Sequence, residues 1–270
     1  MTANDLQAAM AALPEPPAHS APPQWDYWRH DLWTRVSHGQ PPDDFTLWPC
    51  IYHTMLHDHW RNSVLCEYRQ WRDGEPDEAH DLLIYPPWAD MSESAATSHY
   101  YNALVTYCRF RKWELMTARS LASLPCIIEF GAGYGMAALI ARRMGFAGRY
   151  IITDLPEFRL LQQWFLERAG ADGVEWWEWE WGAATPDKPP VSCDLLLAAY
   201  SLSETPQALR KAFLHSVYPA SCLFVYSNCF ADYDNLAFFQ PAPRELATMH
   251  WQHERLDCFP PESWLSVGQQ

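Results

Sequence analysis

Two carboxylates and three glycines are spaced as a nucleoside site would need them. Glu129, Gly131, Gly133 and Gly135 stand in the run Cys126-Ile127-Ile128-Glu129-Phe130-Gly131-Ala132-Gly133-Tyr134-Gly135-Met136, and Asp154 closes the apolar run Tyr150-Ile151-Ile152-Thr153. Glycine reaches positive φ and lets another group approach the backbone without meeting a Cβ. A glycine-rich loop after a first parallel strand is where doubly wound α/β folds bind nucleosides. Asp154 lies 19 positions past Gly135 (154 − 135), close to the ~20-residue spacing of a ribose-binding acid at the end of strand two. One carboxylate has two oxygens with which to accept from both ribose hydroxyls. Blander readings exist for both features. The glycines could form a tight strand-to-helix connection, and Asp154 could N-cap a helix opened by Pro156 and Glu157.

The loop spells E-x-G-x-G-x-G. A dinucleotide fingerprint counted from Gly131 would need its third glycine where Met136 stands, which disfavours a dehydrogenase, and the Gly-Lys-Ser/Thr of a phosphate loop does not occur here. The loop resembles motif I of class I S-adenosylmethionine-dependent methyltransferases. That resemblance implies S-adenosyl-L-methionine as cofactor, a ligand with a carboxylate, an ammonium, a ribose diol and a sulfonium but no phosphate. On this reading Glu129 orients the loop and helps bind the ammonium. Gly131, Gly133 and Gly135 permit close approach, and Asp154 holds the ribose.

Methyl transfer to a hydroxyl needs in-line alignment, exclusion of water and removal of a proton. The fourth expected strand runs into Tyr200-Ser201-Leu202-Ser203-Glu204-Thr205-Pro206. Ser201 with Glu204 could make a capping box. Thr205 as N-cap with Pro206 at N1 is the better helix start, and it leaves Ser203 and Glu204 in a loop above the sheet. Glu204 is then a candidate base or a ligand for substrate hydroxyls, with Tyr200 and Ser203 as candidate substrate contacts. After the fifth strand, Asn228 to Asn235 is polar and aromatic, and Asn228 and Tyr233 are further candidates for holding an acceptor. His99, beside Tyr100 and Tyr101, is a second candidate base. His53 and His57 have an i, i+4 spacing that can bind metal but no H-E-x-x-H context, so no metal is expected. His253, in a strand, reads as structural.

The runs Ile128 to Gly135, Asp154-Leu155-Pro156-Glu157 and Tyr200-Ser201-Leu202-Ser203-Glu204 together resemble a bacterial family of sugar O-methyltransferases, over about residues 125–230. The resemblance implies methylation of a hydroxyl on a small polar acceptor, a sugar or sugar-bearing metabolite. Two alternatives stay open: N- or C-methylation of another metabolite, and a non-catalytic module using the cofactor fold to bind proteins.

The elements that must carry these residues follow from periodicity. From Pro125 onward strands and helices alternate, the signature of a parallel α/β sheet. Strands are expected near 126–130, 149–153, 174–181, 193–199 and 221–227, with Met249–Cys258 and Trp264–Gly268 as a terminal hairpin. The methyltransferase resemblance implies a Rossmann-like seven-stranded sheet in the order 3-2-1-4-5-7-6. Glu175 to Trp181 alternates Trp with Glu, as a charged edge strand does. Residues 24–121 read as a helical cap or substrate region, with helices over Trp25–Val36, Ile51–Trp71 and Ser98–Leu121, and 122–270 as the cofactor-binding domain. Residues 1–23, Pro/Ala-rich from Leu13 onward, read as a loosely ordered tail.

Composition narrows the partners. Among 270 residues the formal charge is −14, which disfavours nucleic acid and anionic membranes. No apolar run approaches the ~20 residues of a membrane span, and the first ten residues show no secretory signal. The eight cysteines are scattered without a CxxC, so reduced thiols and a cytoplasmic protein are expected. The helical half is a candidate surface for a homodimer.

Overall fold

The computed structural model describes residues 1–16, 23–55, 60–72, 91–179, 190–259 and 262–270. The chain divides into two units, passing between them several times.

The first unit takes Met1–Arg109, Gly133–Met144 and Leu155–Asp172. Its helices are α1 (Ala3–Ala12), α2 (Pro23–Ser37), α3 (Pro49–Met55), α4 (Trp60–Arg72), α5 (Glu93–Thr117, whose last turns belong to the second unit), α6 (Met136–Arg143) and α7 (Pro156–Arg168). Helix α1 corrects the expectation of a loose tail. The Thr2 hydroxyl accepts from the Asp5 N–H while the Asp5 carboxylate accepts from the Thr2 N–H, a reciprocal capping box. Leu6 and Met10, one turn apart on α1, are fully buried. Residues 17–22 of the expected tail lie outside the described residues. The helix expected over Ile51–Trp71 is described as α3 and α4, with 56–59, His57 among them, outside the described residues. Phe45, His99, Tyr134, Trp164 and Phe165 form the aromatic centre of this unit, with Phe45 edge-on to the other four. Arg29 clasps the buried Glu157 through Nε and Nη2, both at 3.0 Å.

The second unit takes Phe110–Ala132, Gly145–Asp154 and Gly173–Gln270. Its strands are β1 (Cys126–Phe130), β2 (Arg149–Thr153), β3 (Val174–Trp176), β4 (Val191–Cys193), β5 (Leu195–Ala199), β6 (Val217–Pro219), β7 (Ser221–Ser227), β8 (Cys229–Phe230), β9 (Tyr233–Asp234), β10 (His250–Leu256) and β11 (Ser263–Gln269). Helices α8 (Gln207–His215) and α9 (Asn235–Phe239) complete it. The main sheet runs β10-β11-β7-β5-β1-β2-β3. Numbering only its seven members in chain order gives 3-2-1-4-5-7-6 from the β3 edge, the order expected. Strands β3, β2, β1, β5 and β7 pair in parallel, and β11 enters antiparallel between β7 and β10. This is a Rossmann-like α/β sheet, in the order the methyltransferase resemblance implies.

Two strand expectations are revised. β3 sits at the sheet edge but ends at Trp176, shorter than 174–181. Trp179 beyond it is buried, and 180–189 lie outside the described residues. The expected strand 193–199 is two strands split at Asp194, whose carboxylate accepts from the Cys126 N–H at 3.0 Å. That frees β4 to pair with β6 instead. The core of this unit gathers Ile128, Phe130, Leu196, Phe213, Phe224, Tyr226 and Phe239.

Cys50, Cys108, Cys126, Cys193, Cys222 and Cys229 are free thiols. Cys66 and Cys258 are disulfide-bonded, which corrects the expectation that all eight are reduced. Among the described residues no helix is long and apolar enough to cross a membrane.

Candidate active site at the carboxyl ends of the strands

In the sheet unit the strand order reverses at β1, with β2 on one side and β5 on the other. Open α/β sheets bind ligands at such a reversal, beyond the carboxyl ends of the strands. Here Glu129 and Gly131 follow from β1, Asp154 from β2, and Tyr200 to Thr205 from β5.

Glu129 is buried and accepts from the Tyr150 hydroxyl at 2.7 Å. Burial pushes its carboxyl up to about 8, and the nearby Asp154 charge adds to the rise against the Tyr150 hydrogen bond. Two acids are thus crowded at the ends of neighbouring strands, where they favour hydrogen-bond donors and positive charge. The N-cap reading of Asp154 does not hold, because Leu155 occupies the N-cap of α7 with Pro156 behind it. Asp154 keeps its carboxylate at the end of β2, half-buried.

Gly131, Gly133 and Gly135 have φ of +66°, +59° and +98°. The space a Cβ would fill is taken by protein in each case: Ser201 at Gly131, Met55 at Gly133 and Leu166 at Gly135. Conformation and packing therefore require these glycines, and any ligand meets the loop through its backbone. In the helical unit, Gln162 on α7 pins the Gly133 carbonyl at 2.8 Å, a buried brace with no sequence signal beyond its helical phase. Gly135 is the N-cap of α6 and supplies no side-chain cap, so the helix N-terminus is left to favour a negative group.

The loop after β5 is shaped by a strained residue. Tyr200 has φ +64°, which costs a bulky residue roughly 1–2 kcal/mol and is the kind of strain that gathers at functional sites. The next residues fold as a 3-10 turn, Leu202–Glu204, not as a capped helix start. The Ser201 hydroxyl donates to the Phe130 carbonyl, so no capping box forms. The Thr205 hydroxyl donates back to the Leu202 carbonyl at 2.8 Å, and Pro206 is the N-cap of α8. The expected N-cap at Thr205 is thus displaced by one residue, while Glu204 does lie in the loop.

Glu204 has no hydrogen-bond or ionic partner among the described residues. Its side chain keeps some contact with solvent, yet the surrounding loop strips enough hydration to push its carboxyl up to about 8. Arg210, which the sequence did not single out, supports this loop. Its buried guanidinium donates through Nε to the Thr205 carbonyl at 2.7 Å and through Nη2 to the Ser203 carbonyl at 2.5 Å.

Other sequence candidates divide. Tyr233 is half-buried, one ring face taken by Arg210, and its hydroxyl has no partner among the described residues. Tyr200 donates to the Ser263 hydroxyl at 3.2 Å. Ser203 is corrected to a structural role, being buried with its hydroxyl committed to the Tyr200 carbonyl. Asn228 is likewise committed, donating to Glu262 at 2.5 Å and accepting from the Trp264 indole at 2.7 Å. His99 is corrected as a base. It is buried among Phe45, Tyr134 and Phe165, and burial draws its imidazole down to about 3, which leaves a poor proton acceptor at neutral pH. Among the described residues no cluster of three or more His, Cys, Asp or Glu could hold a metal ion.

No protein-family model matches the chain, and no curated protein matches its sequence. Solved structures are similar at low identity. A SAM-dependent methyltransferase from Aquifex aeolicus has a TM-score of 0.43 and 12% identity, over 75% of this chain and 97% of that one. Precorrin-6y C5,15-methyltransferase from Geobacter metallireducens has a TM-score of 0.43 and 12% identity, over 63% and 88%. An O-methyltransferase family protein from Burkholderia thailandensis has a TM-score of 0.42 and 14% identity, over 77% and 71%.

Proposed function

We propose that the chain is an S-adenosyl-L-methionine-dependent methyltransferase acting on a hydroxyl of a small polar acceptor, with sugars or sugar-bearing metabolites as the acceptor class. Glu204 is the observation that carries this reading. A carboxyl without a partner among the described residues, raised to about 8, stands beyond β5 beside the strand-order reversal. That is the environment a proton acceptor near neutral pH requires.

The residues present fit the cofactor. Asp154 offers a carboxylate to a ribose diol, and an ammonium bound beside Glu129 would ease the ionisation of its raised carboxyl. When bound, S-adenosyl-L-methionine supplies an electrophilic methyl group. Glu204 takes the acceptor's hydroxyl proton, and a positive charge bound near it eases its ionisation. The Tyr233 hydroxyl, without a partner among the described residues, offers a hydrogen bond to a second acceptor oxygen.

Calorimetry with S-adenosylhomocysteine tests the cofactor. Micromolar binding that Asp154→Ala abolishes supports the proposal, and no binding by the unaltered protein favours a non-catalytic module. Labelled methyl incorporation across a panel of sugars and glycosylated metabolites tests the acceptor. Incorporation only into amines would move the assignment to N-methylation.

A further inference from the structure

The Arg210 guanidinium is almost wholly withdrawn from water, 1% exposed, and has no carboxylate partner among the described residues. Its two hydrogen bonds go to main-chain carbonyls, and its flat faces meet the rings of Tyr233, Phe238 and Phe239 at 5.3, 5.1 and 5.7 Å from their centroids. Burying a cation without a counter-charge is unfavourable, and an apolar residue of similar volume would usually fill such a space at least as well. Space filling is therefore a poor account of an arginine here. The carbonyls it holds belong to Ser203 and Thr205, the two neighbours of Glu204. The rings it lies against belong to the segment after β7 that carries Tyr233.

We propose that Arg210 is a positioning residue for the acceptor subsite: its forked guanidinium fixes the backbone on both sides of Glu204 and, through the Tyr233 ring, fixes Tyr233 to the same loop. The proposal rests on the reading of Glu204 as the proton acceptor. Two hydrogen bonds from one rigid plane hold both flanking residues, whereas a lysine ammonium lacks that planar fork. Aromatic faces and carbonyls, not a carboxylate, receive the charge, so the guanidinium leaves Glu204 unpaired and able to accept a proton. An Arg210–Glu204 ion pair would have quenched it. Burial is what raises the Glu204 carboxyl, so loosening the loop should act on Glu204 through hydration.

The test follows the Glu204 carboxyl by carbon NMR in protein labelled at glutamate, assigned by its loss in Glu204→Gln, with S-adenosylhomocysteine calorimetry alongside. The wild type should titrate near 8. In Arg210→Met the freed loop should hydrate Glu204 and make it ionise at least tenfold more readily, with Arg210→Lys between the two and S-adenosylhomocysteine affinity within about threefold throughout. Identical Glu204 titration in wild type and a folded Arg210→Met overturns the proposal. Should Arg210→Met not fold, the wild-type and Arg210→Lys titrations decide, and their coincidence also overturns it. Failure of the wild type to bind S-adenosylhomocysteine defeats the methyltransferase reading instead, and is read separately from the titration.

Discussion

Ser201 closes over Gly131. Its hydroxyl donates to the Phe130 carbonyl, and a Cβ on Gly131 would overlap the Ser201 Cβ. The loops leaving β1 and β5 are thereby fastened to each other where the strand order reverses. The Gly131 N–H in turn donates to the Thr153 carbonyl at 2.9 Å, so one glycine is tied to three neighbouring strands.

Gly131→Ala should therefore fail for two separable reasons. Positive φ costs an alanine roughly 1–2 kcal/mol, and the overlap with Ser201 adds to it. We expect a destabilisation of about 2–4 kcal/mol in denaturant unfolding, with loss of S-adenosylhomocysteine binding. Gly131→Ala with Ser201→Gly should recover only the steric part. Full recovery would show that the backbone conformation is not strained for alanine.

Glu204 sets an expected pH dependence. With its carboxyl near 8, the acceptor form is the minor one at pH 7 and grows as pH rises. Methyl transfer to a hydroxyl acceptor should rise through that range and level off above it. Glu204→Gln should lower the rate by roughly 10²–10⁴-fold and flatten the profile, leaving S-adenosylhomocysteine affinity nearly unchanged. A profile that keeps its shape in Glu204→Gln would remove Glu204 from the chemistry.

What could be read from the chain alone follows physical locality. β1, β2 and β7 match their expected bounds to the residue because interior parallel strands are continuous apolar runs with abrupt ends. Glu129, Asp154 and Glu204 stand out in the sequence because each ends or follows such a run, and the structure places them at the carboxyl ends of β1, β2 and β5. Asn228 was misread because its partners, Glu262 and Trp264, come from a distant stretch of chain. His99 was misread because a polar residue in a helix gives no local sign of the aromatic rings that enclose it. Arg210 does carry a local signal. It lies three and four residues before Phe213 and Leu214 on the buried face of α8, a position where a charged side chain needs a reason. Helix α1 was missed because the proline-rich stretch after it masked the Thr2–Asp5 capping pattern.

Glu129 links stability to alkaline pH. Its folded carboxyl near 8 lies above the ordinary 4.5, so the folded state holds its proton more tightly than the unfolded chain does. The associated stability is present below about 4.5 and is lost as pH rises through 8. Glu129→Gln, which can still accept from Tyr150, should lose less stability between pH 5.5 and 8.5 than the wild type, by up to roughly 3 kcal/mol. Glu204 titrates in the same range and leaves a residual slope in that variant. Parallel melting-temperature curves for the two proteins would mean that Glu129 is ionised in the fold.

His99 should act in the opposite direction. Its folded imidazole near 3 lies below the ordinary 6.5, so folding favours the neutral ring. The stability this brings is complete above about 6.5 and is lost as pH falls toward 3. The ring stacks on Phe165, with centroids 5.6 Å apart and 9° between planes, a place that another flat ring can occupy. His99→Phe should therefore resist acid better, and at pH 4.5 its loss relative to neutral pH should be smaller than the wild type's by about 2–3 kcal/mol. Urea midpoints at pH 7.5 and 4.5 measure this, carboxylate contributions being common to both proteins. The same variant separates packing from chemistry: S-adenosylhomocysteine binding and methyl transfer at pH 7.5 should stay within a few-fold of the wild type. A loss of transfer approaching that of Glu204→Gln, with stability intact, would return His99 to the reaction.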